Sequence, residues 1–75
     1  MWFLIEYNRQ QGEVVTLKRF KENERSKAEN SRLELELELN RAGGEHEVVL
    51  LQAASEVSLR RTHRRYFEDL LELAS

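Results

Sequence analysis

The side chains best suited to chemistry are concentrated in "LRRTHRRYF", Leu59 to Phe67. Arg60, Arg61, Arg64 and Arg65 place four guanidinium groups within six residues, with no acid between them. On a helix Arg60 neighbours Arg64 and Arg61 neighbours Arg65, which makes two positive ridges. Planar guanidinium forks suit phosphates and carboxylates, so the stretch is a candidate contact for nucleic acid or for an acidic protein. The competing reading is a solvated helix face neutralised by the chain's own glutamates. His63 lies inside the same stretch. Together with Tyr66, three residues on, it forms a candidate polar site on the apolar stripe Leu59, His63, Tyr66, Phe67, Leu70, Leu73 and Ala74. A histidine can act as a general base or a pH sensor. Ser55, Ser58 and Thr62 carry no nucleophile motif, however, so the sequence predicts no enzyme.

Other chemistries find less support. There is no cysteine, which excludes disulfides, thiolate metal sites and cysteine nucleophiles. His46 and His63 are far apart and in no ligand-spaced motif. His46, between Glu45 and Glu47, reads as a polar lead-in to a strand. Glu34, Glu36 and Glu38 form an acidic ladder, but on a helix Glu36 points away from the other two, and divalent-cation sites gather oxygens from converging segments. Gly43-Gly44 is not followed by the Lys-Ser/Thr of a phosphate loop. No cofactor and no metal is expected.

Composition sets the frame for these residues. The chain has 75 residues, enough for one domain spanning 1–75. Charged residues make up 35%, with 12 basic against 14 acidic and a formal net charge of −2. That balance gives no general attraction to nucleic acid or anionic lipid, and the sequence pI near 5.7 weakens the nucleic-acid reading. No apolar run approaches the roughly 20 residues of a membrane span. A cytoplasmic protein without a membrane partner is expected. A domain this small buries only about 60% of its unfolded surface, and without disulfides or metal it must gain stability from packing or from a second copy.

The elements that position these residues can be read from period and punctuation. "MWFLIEY" and "EVVTLKRF" flank a short polar loop ending in Gly12, which predicts a hairpin with strands near Trp2 to Tyr7 and Glu13 to Arg19. Phe20 to Ala42 contains no Pro, Gly or β-branched residue, which predicts a helix closed by Gly43-Gly44. "EHEVVLLQA" reads as a third strand. "SEVSLRRTHRRYFEDLLELAS" reads as a last helix, capped by Ser55.

Within the first helix, "LELELEL" alternates like a strand. A strand there would give a four-stranded sheet, with Leu33 to Leu39 paired to Val48 to Ala53. That would leave the polar segment upstream with too little to anchor it, and Glu is depleted in strands. The helical reading puts Leu35 and Leu39 on the side of Ala28 and Ala42, and Leu33 and Leu37 nearly opposite. The expected fold is α+β, β-β-α-β-α, with a three-stranded antiparallel sheet ordered 2-1-3 and both helices on one face. The first strand is apolar on both sides, so such a fold leaves a second, oily sheet face. The expected function is therefore that of a structural or protein-interaction module. It would self-associate as a homodimer through that face, the first helix or both, with Trp2, Leu4, Val14, Leu33 and Leu37 as candidate interface residues.

Overall fold

A computed structural model describes residues 1–43 and 45–67. It shows an α+β fold. Strands β1 (Trp2–Asn8), β2 (Glu13–Phe20) and β3 (His46–Gln52) form one antiparallel sheet in the order β2-β1-β3. Helix α1 (Arg25–Ala42) links β2 to β3, and helix α2 (Glu56–Thr62) follows β3. The strand order is the expected one, with the most apolar strand at the centre. "LELELEL" lies wholly within α1. Gly43 closes that helix in the left-handed region at φ 69°, donating its N–H to the Asn40 carbonyl, a conformation open to glycine without a Cβ penalty.

The helices do not share one face, contrary to the expectation. Phe3, Ile5 and Leu59 form the core of one side, with Tyr7, Val14, Leu17, Val49, Leu51 and Phe67 packed around them. These strand residues all point to the α2 side. Leu4, Glu6, Thr16 and Lys18 point the other way, and there they line a cleft with Ser31, Leu35 and Glu38 of α1. The sheet is thus the middle of three layers. Phe3, Leu4 and Ile5, successive residues of β1, are all 0% exposed because each face has its own cover. The two-sided apolar pattern of β1 records this double burial and leaves no bare sheet face. Chain connectivity allows it. The β2-to-β3 crossover commits α1 to one side, and α2, after the last strand, is free to close the other.

The last helix is also shorter than expected. Ser55 caps it as predicted, its side chain accepting from the Ser58 N–H at 3.1 Å. The helix stops at Thr62, and Arg64–Tyr66 continue as a single 3-10 turn. The break at His63 swings Tyr66 and Phe67 back onto the sheet. Leu70, Leu73 and Ala74 lie outside the described residues.

Candidate interaction surface

The break in the last helix disperses the arginines. Arg60 bonds Glu56 at 3.4 Å and lies 4.6 Å from the Phe67 ring centroid. Arg65 bonds Glu47 at 2.7 Å and stacks 4.7 Å from the Tyr66 ring. Arg64 is likewise engaged. Arg61 is exposed, without an ion pair among the described residues. The two i,i+4 ridges do not form, because Arg60 and Arg61 end one helix while Arg64 and Arg65 begin another turn.

His63 and Tyr66 are not brought together by a shared bond. The His63 imidazole Nδ1 is 2.9 Å from the Thr62 hydroxyl, and its backbone N–H caps α2 on the Leu59 carbonyl. Tyr66 is buried, edge-on to Tyr7 with ring centroids 5.2 Å apart, and its hydroxyl donates to Glu47 at 3.2 Å. Burial, with the nearby Glu47 carboxylate, pushes the Tyr66 phenol above its ordinary value.

Sequence reasoning missed the buried polar row of the sheet. Glu6 is only 7% exposed. Its carboxylate accepts from the Thr16 hydroxyl at 2.9 Å on β2, and meets His46 Nδ1 at 2.5 Å on β3. One side chain on the central strand therefore ties both neighbouring strands. The available signal was a lone acid on the Trp2–Leu4 side of an otherwise apolar strand. On the other face Glu47 gathers Arg65, Tyr66 and, at 3.6 Å, Arg9. Neither cluster holds a nucleophile, and among the described residues no group of three His, Cys, Asp or Glu could hold a metal. Both act as clasps: a buried acid, Glu6, and a half-buried one, Glu47, with donors on several elements hold the layers in register.

The outer surface differs. Leu4 is closed under α1. Val14 packs against the core cluster. Trp2 is half-buried, its indole N–H donating to the Glu22 carbonyl at 3.3 Å under the Arg25 guanidinium. These three candidate interface residues are therefore used by the fold itself. Leu33 and Leu37 are not: they are 51% and 58% exposed on the side of α1 away from the sheet. With Ser26, Asn30 and Asn40 they form a stripe of uncharged residues spaced by fours and threes, the geometry of a helix seam. The flanks of α1 are charged. Glu34 and Glu38 sit on the flank toward β2, beside Lys18. Arg25, Glu29, Arg32 and Glu36 run along the opposite flank, the one toward β3.

The two sheet edges also differ. β2 is broken by a bulge opposite Glu6 and Tyr7, where Val15 is the extra residue, and it carries Lys18 and Arg19. β3 pairs with β1 in unbroken register from His46 to Gln52 and carries Val48-Val49-Leu50-Leu51, all only half-buried. Among the described residues, no helix is long and apolar enough to cross a membrane. No family model, no curated protein and no solved structure matches the chain.

Proposed function

We propose that this protein is a self-associating interaction module with α1 in its interface. The observation that carries the reading is the pair Leu33 and Leu37, two large apolar side chains held outward on a rigid helix while the domain's core closes without them. Both faces of the sheet are covered, and among the described residues the large apolar side chains left exposed are Val15 at the β2 edge, Val57 on α2, and Leu33 and Leu37, which alone lie side by side one turn apart on one helix. Large outward apolar residues on an ordered element cost solubility unless a second surface takes them up. Nucleic-acid binding gains no comparable support, since Arg60 and Arg65 already hold carboxylates and aromatic rings.

Sedimentation equilibrium tests the reading. The expected result is a species of twice the 8.9 kDa chain mass at micromolar to millimolar concentration. A single 8.9 kDa species across that range overturns it.

A further inference from the structure

We infer that the second copy joins along the β3 edge, so that two sheets merge into one of six strands with the α1 helices packed antiparallel across the two-fold axis. The inference rests on the self-association proposed above and specifies where it occurs: the charged flank of α1 faces the copy, and Leu33 and Leu37, about a quarter turn away, lie at the outer rim of the helix pair.

The strand offers an open edge that matches itself. Met1 and Ala53 exchange both backbone hydrogen bonds, at 2.9 and 3.0 Å, which makes them a bonded pair of the β1–β3 ladder. Bonded and non-bonded pairs alternate in an antiparallel ladder. Leu51, Val49 and Glu47 therefore bond toward β1, while Gln52, Leu50, Val48 and His46 aim their N–H and C=O groups outward. Among the described residues nothing bonds to those outward groups. Pairing the strand with itself about Val49 uses its whole length. It sets His46 against Gln52, Val48 against Leu50 and Val49 against its own copy. No like charges meet, and the apolar residues on each face continue the apolar residues of the second copy.

The helix matches itself independently. Along the β3 flank of α1 the charges run Arg25, Glu29, Arg32, Glu36. Turned end for end, this series is complementary to itself: Arg25 meets Glu36, and Glu29 meets Arg32, about a centre between Asn30 and Ser31. The two centres coincide in space. Just before α1 the Glu22 carboxylate accepts from the Gln52 side chain at 2.7 Å, and near the far end of α1 Leu39 and Asn40 lie beside His46. Halfway between these two anchors, near Asn30 and Ser31, is halfway along the strand, at Val49. One two-fold axis thus serves both elements.

The spacing also fits. α1 rests mainly on β3 and β1. With strands about 4.8 Å apart, a helix above that groove stands about one strand spacing from the axis. Its copy is then about 10 Å away, the ordinary distance for packed helices. Arg32 fits a missing neighbour. Its side chain is 40% exposed, and its ion-pair partner on the same helix, Glu36, stands 4.0 Å away. The second copy's Glu29 reaches the same guanidinium.

The charge ladder provides a test that leaves the fold alone, because these side chains are at the surface. In sedimentation equilibrium of the full chain at low salt, E29R is expected to weaken the dimer about tenfold, since two attractive contacts become repulsive. Adding R32E restores opposite charges between copies, while within each helix it leaves the two i,i+4 pairs of the series like-charged. There Arg25 still faces the arginine introduced by E29R, and Glu36 still faces the acid introduced by R32E. The double variant is therefore expected to dimerise like the wild type, with circular dichroism unchanged throughout. A dimer indifferent to E29R, or one that R32E fails to rescue, overturns the β3-edge arrangement and leaves self-association standing. A chain that never exceeds 8.9 kDa overturns both.

Discussion

The two edges of the sheet are treated differently by the sequence. β2 carries the devices that keep an edge from pairing: a bulge at Val15, which bends the strand, and Lys18 and Arg19, which charge it. β3 has no bulge over the seven residues His46–Gln52, its one acid, Glu47, is taken up by Arg65 and Arg9, and it puts four apolar residues in a row along an unbroken register. Both strands have the same central neighbour, and Glu6 ties both to it through Thr16 and His46. The difference is therefore not in how the domain is built but in what each edge is kept from doing. A guarded edge is a surface that must stay single. An unguarded one, flanked by a charge series that matches itself, is the surface the proposed dimer uses.

The largest effect should come from closing the open edge. Val48 directs its N–H outward, so Val48→Pro removes a donor from the outer edge without breaking the β1–β3 ladder, a position where a strand tolerates proline. Sedimentation should show the monomer only, with the sheet signal in circular dichroism retained.

Next in size is opening the guarded edge. A chain lacking Val15 and carrying Lys18→Thr and Arg19→Thr presents two straight, neutral edges, and two such edges build open-ended assemblies. Species larger than a dimer should appear in sedimentation velocity. If the guards are removed and the protein stays a dimer, the contrast between the edges loses its meaning.

A smaller effect probes what the edges share. Glu6→Ala leaves Thr16 and His46 without their common acceptor and should lower stability by roughly 1–3 kcal/mol in urea unfolding. Exchange at both outer strands should rise together.

The smallest effect concerns pH. Glu22 is held below the ordinary carboxylate range, first by the bond from the Met1 ammonium and then by Gln52. A depressed folded-state value means that its contribution is present above about pH 4.5 and is lost as pH falls through the folded value. The Gln52 side-chain amide should therefore shift in NMR spectra below that pH, as the end of β3 loosens.

Much of this architecture was legible from residue types. β1 announced itself by apolar residues in both registers, and the central place it takes follows from that. The helical state of "LELELEL" followed from Leu and Glu propensity, against the period, and its alternation correctly placed Leu35 and Leu39 inward and Leu33 and Leu37 outward. What misled was the meaning of β1's second apolar side. Pattern shows that a face is buried but not by what, so the oily face was assigned to a second copy when α1 and α2 divide the two faces between them. The break at His63 was hidden because "SLRRTHRRYF" contains neither Pro nor Gly. The turn is set by Tyr66 and Phe67 reaching the sheet, a tertiary demand that local propensity does not record. The Glu6–His46 bond joins residues forty apart in the chain and depends on strand order and register together.

In the proposed dimer β3, and not β2, is the edge through which the chain meets itself. Amide hydrogen exchange read residue by residue tests this most directly. By the alternation of the ladders, the outward amides include Val48 and Leu50 on β3, and Leu17 and Arg19 on β2. Val48 and Leu50 are expected to become protected as concentration rises through the association range, while Leu17 and Arg19 exchange rapidly throughout. Val48 and Leu50 exchanging as fast in the associated protein as in the dilute one would contradict the β3 edge.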